Sequence, residues 1–408
     1  MAIRKPEDVF TPKTIVTREM FQRRNEPELD GTPGLQQNLR DALTERGGQV
    51  LIYGDTGVGK TSLLKYAAED EDMHFVSVEC MTGMDADQLV ENALRQLVDV
   101  REMKRGRSRS IGAEASGEGK LPWIAKMTAS IKGDLSNSSE WEVLEKPAID
   151  VLIDAMDRTG KQLIVFDNFQ NIQDTDTRLA VAQLLELLSD RAGRDDAPQV
   201  SCVVIGIATD AQGLLGASRS FARRTTEVGV PRMPNEEIRE ILVQGFNFLS
   251  IQIPASIINQ LVHHSDGFPY FAHLMGLYIA REARRAGTSL VEPAMVGSAL
   301  TRASKSVSAQ FASRCKAAFE AAGDTQPRKN VMLLLADSDK QEWSSVDIQN
   351  LWEAKFGARA NYTFLYVALG ELITADHGQM LTRTGARRQY EYRLEDPHLR
   401  PYLRMQYL

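Results

Sequence analysis

Eight residues, Gly54-Asp55-Thr56-Gly57-Val58-Gly59-Lys60-Thr61, constrain this 408-residue chain more than any other segment. They fit the spacing G-x-x-x-x-G-K-[ST] without departure. The context agrees, because the apolar run Val50–Tyr53 precedes them and a helical pattern, Ser62–Ala68, follows. Strand, glycine-rich loop and helix in that order make an anion cradle. Glycines let the backbone curl so that successive N–H groups point at phosphate oxygens, and the helix N-terminus adds its positive dipole. Gly54, Asp55, Thr56, Gly57, Val58, Gly59, Lys60, Thr61 and Ser62 are therefore expected to line the phosphates of a nucleotide. Lys60 would reach the β- and γ-phosphates, and the Thr61 hydroxyl would hold Mg²⁺. The expected cofactors are ATP and Mg²⁺.

Four runs, each four to eight residues long and rich in Val and Ile, set that loop in a sheet. They are Gln49–Gly54, His74–Cys80, Gln162–Asp167 and Ser201–Ala208, with a weaker fifth at Thr226–Val230. Near-continuous apolar strands separated by helices indicate a parallel sheet buried on both faces. After Asn235 the strands stop and helical periodicity takes over, with Asn235 as N-cap and Glu236 and Glu237 in the first turn, where the helix dipole favours acids. Between Arg101 and Lys120 the chain carries four glycines, three serines and almost nothing apolar, which predicts a flexible insertion.

Composition excludes several classes. With 48 Lys+Arg against 55 Asp+Glu the net charge is −7, so the chain is no general nucleic-acid coat. No apolar run approaches the roughly 18 residues of a membrane span, and the charged start MAIRKPEDVF is no secretory signal. Cys80, Cys202 and Cys315 are far apart in apolar surroundings and read as reduced core thiols of a cytoplasmic protein. The six histidines do not pair with them at metal-ligand spacing.

The apolar run Leu163–Phe166 ends in Asp167, the place of the acid that completes the Mg²⁺ shell in P-loop NTPases, directly or through water. With the P-loop, this strand, a strand ending in Thr209-Asp210 and then Arg223-Arg224 before a short strand, the chain resembles the AAA+/STAND branch of those ATPases. Its order is most similar to the Orc/Cdc6-like and archaeal-ATPase-like members, over about residues 15–305. The resemblance implies that Thr209 contacts the γ-phosphate as sensor-1. It also implies that Arg223 or Arg224 is an arginine finger reaching a neighbouring subunit, hence an ATP-dependent homo-oligomer. Arg23 or Arg24 stands where that family carries its Gly-Arg-Glu box, beside the adenine. Two positions depart from the pattern. Where an efficient ATPase of this type places Glu to polarise the attacking water, this chain has Asn168, followed by Phe169 and Gln170. Neither amide can act as a base at neutral pH. In Gly267-Phe268-Pro269-Tyr270, similar to the sensor-2 segment G-x-P-R, Tyr270 replaces the arginine. His273, one turn on, is expected to pack among Phe271, Leu274 and Tyr278. Both departures predict ATP binding with slow hydrolysis, unless another acid such as Asp174 or Asp176 serves.

The last eighty residues predict helices at Lys329–Ala336, Ser345–Lys355 (capped by Ser344) and Asn361–Thr374. Strands at Gln379–Thr384 and Gln389–Leu394 and a short helix after Asp396-Pro397 complete the pattern, which resembles a winged helix. From Thr325 to the end, 11 Lys/Arg and 10 Asp/Glu leave it nearly neutral. The helix ANYTFLYVALGELIT has only Asn361 as a base-reading residue, whereas Arg383, Arg387, Arg388 and Arg393 give the hairpin a basic edge. DNA contact and packing against protein both remain open on these residues.

The expected fold class is thus α/β, with a P-loop NTPase parallel-sheet core, a helical lid domain and a C-terminal winged-helix domain. The boundaries are residues 1–35 for a segment flanking the nucleotide, 36–234 for the core with its insertion at 101–122, 235–323 for the lid and 324–408 for the winged helix. The expected function is an ATP-binding, slowly hydrolysing, nucleotide-gated oligomeric switch in signalling, antiviral defence or mobile-element control, acting on a separate effector protein. The alternatives are a DNA-binding initiator- or transposition-regulator-like ATPase, which the basic run Arg101–Arg109 would suit, and a nucleotide-bound scaffold without turnover.

Overall fold

The computed structural model describes residues 4–24, 33–97, 148–192, 198–208, 223–320, 326–386 and 389–408. The insertion at 101–122, with the basic run Arg101–Arg109, lies outside the described residues, as do Thr209, Asp210, Arg387 and Arg388. The chain divides into two compact units, residues 23–231 and residues 1–22 with 232–408.

The first unit is an α/β layer structure. In chain order it contains α1 (Leu35–Thr44), β1 (Gln49–Tyr53), α2 (Lys60–Asp70), β2 (Phe75–Glu79), α3 (Ala86–Leu97) and α4 (Ala148–Arg158). Then follow β3 (Leu163–Asp167), α5 (Thr175–Ala192), β4 (Ser201–Gly206) and β5 (Thr225–Gly229). All strand pairs are parallel, in the order β2-β3-β4-β1-β5. β4 sits between β1 and β3, so the chain leaves the sheet after β1 and returns on both sides of it. Leu51, Ile164, Phe166, Cys202 and Val204 face a core filled by Leu89 and Leu94 of α3, Met156 of α4 and Leu185 and Leu188 of α5. On the other face α1 and α2 pack together and α1 rests on β1 and β5. Burial from both sides is why the strands read as unbroken apolar runs.

The second unit carries no strand of that sheet. It contains α6 (Asn235–Phe248), α7 (Ala255–Ser265), α8 (Pro269–Arg285), α9 (Pro293–Val307) and α10 (Ala309–Phe319). α11 (Pro327–Asp337), β6 (Glu342–Ser344), α12 (Ser345–Phe356), α13 (Thr363–Leu372), β7 (Leu381–Thr384), β8 (Glu391–Leu394) and α14 (Leu399–Tyr407) follow. Asn235 is the first helical residue rather than the N-cap. Pro234 takes the cap position in an extended conformation, without a side-chain bond, because its fixed φ sets up the turn. Ser344 does cap α12, in a reciprocal box in which Asp347 accepts from the Ser344 N–H.

The start of the chain is built into this unit. Phe10 is fully buried, 5.2 Å edge-to-face from Phe246, and it lies where two helices lack side chains. A Cβ on Gly245 of α6 would come within 2.4 Å of its ring, and one on Gly276 of α8 within 2.5 Å. Residues 1–22 thus pack with the helices after 232, and the segment expected to run beside the nucleotide from 1 to 35 divides at Gln22.

Among the described residues the C-terminal module has the four helices α11 to α14 and a three-stranded antiparallel sheet in the order β6-β8-β7. The strand Glu342–Ser344 had no sequence signal, being three residues long with one apolar side chain, the buried Trp343. Phe311, Cys315 and Ala318 of α10 join this module's core, although that helix precedes residue 324 in sequence. From α14, Arg400 and Arg404 are both buried and converge on Asp266, at the C-terminal end of α7, with Arg400 Nη1 3.1 Å and Arg404 Nη1 3.5 Å from Oδ1. Arg232 pairs with the other carboxylate oxygen. Arg404 also donates to the carbonyls of His263, Ala336 and Ser338, so its guanidinium closes the ends of α7 and α11.

Candidate functional site

The loop between β1 and α2 has the geometry of an anion cradle. Gly57 and Gly59 have φ of 79° and 97°, in the left-handed region open to glycine at no steric cost. Gly59 is also the N-cap of α2, and the Leu63 N–H donates to its carbonyl at 2.9 Å as the first helical bond. Gly54 is required for a different reason. A Cβ there would come within 2.4 Å of the Val230 carbonyl oxygen, where the chain leaving β5 passes the loop. Val58 is buried and pins the loop to the core, whereas Thr56 is exposed.

Lys60 lies at the first position of α2. Its Nζ donates to the carbonyls of Gly54 and Asp55, at 2.9 and 2.8 Å. Burial lowers its pKa to about 8 against the opposing pull of Asp167 and Asp55. A half-buried ammonium held only by loop carbonyls and distant acids is a group that phosphate oxygens would satisfy better.

The Thr61 hydroxyl donates to Asp167 Oδ2 at 2.9 Å, joining the start of α2 to the tip of β3. The hydroxyl and the carboxylate are hard oxygen donors suited to Mg²⁺, which takes one or two protein oxygens and completes its octahedron with water and phosphate. Loop, ammonium and oxygen pair together fit a magnesium–nucleoside triphosphate. Among the described residues no cluster of three or more His, Cys, Asp or Glu side chains could hold a metal, and the three cysteines are buried and unbridged.

Asn168 follows with φ of 58°. Asn tolerates this left-handed turn better than Glu does, so the local backbone favours the residue found here. Its amide is held at both ends: Nδ2 donates to Glu79 Oε1 at 3.2 Å, and Oδ1 accepts from Gln170 Nε2 at 3.4 Å. Gln170 in turn accepts from the Ile207 N–H at 3.0 Å, tying the turn after β3 to the end of β4. Asp174 is already engaged. Its carboxylate accepts from the N–H and hydroxyl of Thr177, capping α5, and these bonds hold its pKa below the usual range. Asp176 lies in the first turn of α5. The acid that the sequence reading missed is Glu79, which ends β2 directly opposite Asp167 in the ladder. Its signal was there, an acid closing an apolar strand, but the neighbour of that strand is a property of the sheet and not of local sequence.

The remaining sites fall as follows. Arg224 pairs with Asp190 of α5 at 2.6 Å, and its carbonyl accepts from Gln49 N–H. Arg223 is exposed. Arg23 lies 3.6 Å from Asp70, and Arg24 is buried and donates to the Pro231 carbonyl at 3.1 Å. In the other unit Tyr270 stacks on His398, with the rings 6.1 Å apart. His273 is buried against Phe10, and its Nδ1 accepts from the Thr11 N–H at 3.2 Å. In the C-terminal module Asn361 precedes the helix Thr363–Leu372, and its Oδ1 accepts from the N–H and hydroxyl of Thr363, so that base-reading side chain is engaged within its own segment. Tyr366 and Val367 of the same helix are exposed.

A parallel five-stranded sheet with helices on both faces, a phosphate loop after its first strand and an acid at the tip of its third define a P-loop nucleoside-triphosphatase fold. Residues 34–199 match the family model of the AAA ATPase domain. Among solved structures, the chain is similar to the Walker-type ATPase PABY2304 of Pyrococcus abyssi, with 16% identity over 95% of this chain and 99% of that one and a TM-score of 0.48. It is also similar to the ORC2 protein of Aeropyrum pernix (15% identity, 95% and 96% covered, TM-score 0.47). A third is Cdc6p of Pyrobaculum aerophilum (12% identity, 98% and 97% covered, TM-score 0.45). No curated protein matches the chain in sequence. No helix among the described residues is long and apolar enough to cross a membrane.

Proposed function

We propose that this AAA ATPase is a nucleotide-gated switch that binds ATP with Mg²⁺, hydrolyses it slowly, and assembles with further copies of itself while ATP is bound. The observation that carries the reading is the Thr61–Asp167 pair beside Lys60, followed at once by an amide, Asn168, instead of an acid. In this reading Gly54 to Ser62 hold the phosphates, Thr61 and Asp167 hold Mg²⁺, and Thr209 senses the γ-phosphate. Arg223 is the preferred arginine finger, since the Arg224 guanidinium is paired with Asp190 within its own chain.

Residues 235–323 would serve as the lid and 324–408 as a winged helix. The engagement of Asn361 with Thr363 and the exposed Tyr366 and Val367 favour a protein partner for that module over base reading, consistent with an effector encoded separately in a signalling, defence or mobile-element system.

The test is the size of the purified protein in ATP–Mg²⁺, with and without duplex DNA, beside Lys60→Ala and Arg223→Ala. A larger species that requires ATP, Lys60 and Arg223 but not DNA supports the reading. Growth that requires DNA favours the initiator-like alternative. A single size under every condition overturns the switch.

A further inference from the structure

We propose that the Glu79 carboxylate is the general base of ATP hydrolysis in this chain, supplying from β2 the acid that Asn168 does not supply from β3. The proposal rests on the ATPase reading above and names the group that carries its chemistry.

Three observations converge. First, Glu79 and Asp167 are paired in register at the C-terminal ends of adjacent parallel strands, so their side chains leave the sheet on the same face, about 5 Å apart at the backbone. In open α/β sheets ligands bind beyond that edge. Second, Glu79 belongs to one continuous chain of contacts to the phosphate loop. Its Oε1 accepts from Asn168 Nδ2, the Asn168 N–H donates to Asp167 Oδ1 at 2.8 Å, and Asp167 Oδ2 accepts from Thr61, next to Lys60. Third, of the other two acids considered, Asp174 accepts through Oδ2 from both the N–H and the hydroxyl of Thr177 and so caps α5, and Asp176 lies in the first turn of that helix. Glu79 is exposed, its Oε1 is steadied by Asn168, and its Oε2 has no partner among the described residues.

The step this assigns is simple. A water oxygen bonds to the γ-phosphorus as the bond from that phosphorus to the β–γ bridging oxygen breaks, and its electrons leave with ADP. The water's proton passes to the Glu79 carboxylate, which later returns it to phosphate or solvent. An amide can orient water but cannot take the proton, and positioned acid–base catalysis contributes roughly 10²- to 10⁴-fold.

The test is single-turnover hydrolysis of γ-labelled ATP, equilibrium binding of a fluorescent (mant) ATP, and identification of the bound nucleotide, on full-length wild type, Glu79→Gln, Glu79→Asp, Asn168→Ala and Lys60→Ala. The exposed strand end makes Glu79→Gln a mild change for the fold. It is expected to bind mant-ATP within threefold of wild type, to retain ATP where wild type retains ADP, and to hydrolyse at least 100-fold more slowly. Glu79→Asp should fall between the two, and Asn168→Ala should lose less than Glu79→Gln. Hydrolysis by Glu79→Gln within threefold of wild type overturns the assignment. Wild type that binds ATP through Lys60 but never hydrolyses it overturns the assignment and leaves the nucleotide site standing. Wild type that binds no ATP overturns the ATPase reading itself.

Discussion

Thr61 and Asp167 stand 106 residues apart in sequence, yet the hydroxyl of one donates to the carboxylate of the other. The contact links the phosphate loop to the edge of the sheet and gathers two hard oxygens at one point. Removing the charge while keeping the shape isolates its role. Asp167→Asn is expected to bind ATP in EDTA about as well as wild type. It should lose most of the gain that Mg²⁺ gives, with hydrolysis about 100-fold slower, the scale of removing one positioned electrostatic group. Isothermal titration with and without Mg²⁺ checks it, and an unchanged Mg²⁺ gain would refute it.

Phe10 and Gly276 should be coupled in stability. The ring fills the space that Gly245 and Gly276 leave, so Gly276→Ala forces it to move and is expected to cost about 1–3 kcal/mol. Phe10→Ala empties the site at about 3–5 kcal/mol. The double variant should fall well short of the sum, because the new methyl occupies room the ring has vacated. Urea melts of the four proteins give the coupling energy, and strict additivity would show that the ring and the glycine do not meet.

Asp266 pairs with Arg232, Arg400 and Arg404 together, and it is nearly buried. Its φ of 51° is tolerated equally by Asn, so Asp266→Asn preserves the backbone and removes only the charge. Leaving buried guanidiniums uncompensated is expected to cost about 3–5 kcal/mol. Thermal unfolding should show it, together with loss of near-ultraviolet signal from Trp343, above whose ring Arg400 lies.

Acid should weaken the helical unit. Burial lowers the pKa of His273 to about 4, and burial followed by His263 and Arg404 does the same to His264 against the pull of Asp337. The folded pKa values lie below the ordinary 6.5, so the unfolded chain binds these protons first. Stability is therefore intact above pH 6.5 and declines as pH falls toward 4. Neither ring nitrogen of His264 has a partner among the described residues, so His264→Leu should cost little at pH 7 and flatten this decline. Denaturant midpoints at pH 7 and pH 5 compare the two proteins, and an equal drop in both would refute the assignment.

How far residues foretold structure differs from place to place. Val50 to Tyr53 and Leu163 to Phe166 announced themselves because a strand buried on both faces must be apolar at every position. Lys60, Thr61 and Asp167 were legible because a phosphate loop and an acid at a strand end have fixed local patterns. Ser344 foretold its helix because capping is local too. Glu79 was not legible in this way. Its meaning comes from lying opposite Asp167, and which strands become neighbours is decided across the sheet. Asn235 missed by one position because the preceding Pro234 already sets the entry to the helix. The placement of Phe10 was invisible for a related reason, since the glycines that admit it sit far along the chain inside otherwise ordinary helices.

That last distance has a consequence during synthesis. Thr11 and its partner His273 are separated by 262 residues, and α6 and α8, which cover Phe10, emerge only after the whole first unit. At about 5–20 residues per second the opening segment waits on the order of tens of seconds for its seat. The first unit, encoded without interruption from 23 to 231, can close meanwhile. Residues 4–22 are thus among the last parts to be secured, and until then the Phe10 ring is an apolar side chain open to chaperones and proteases.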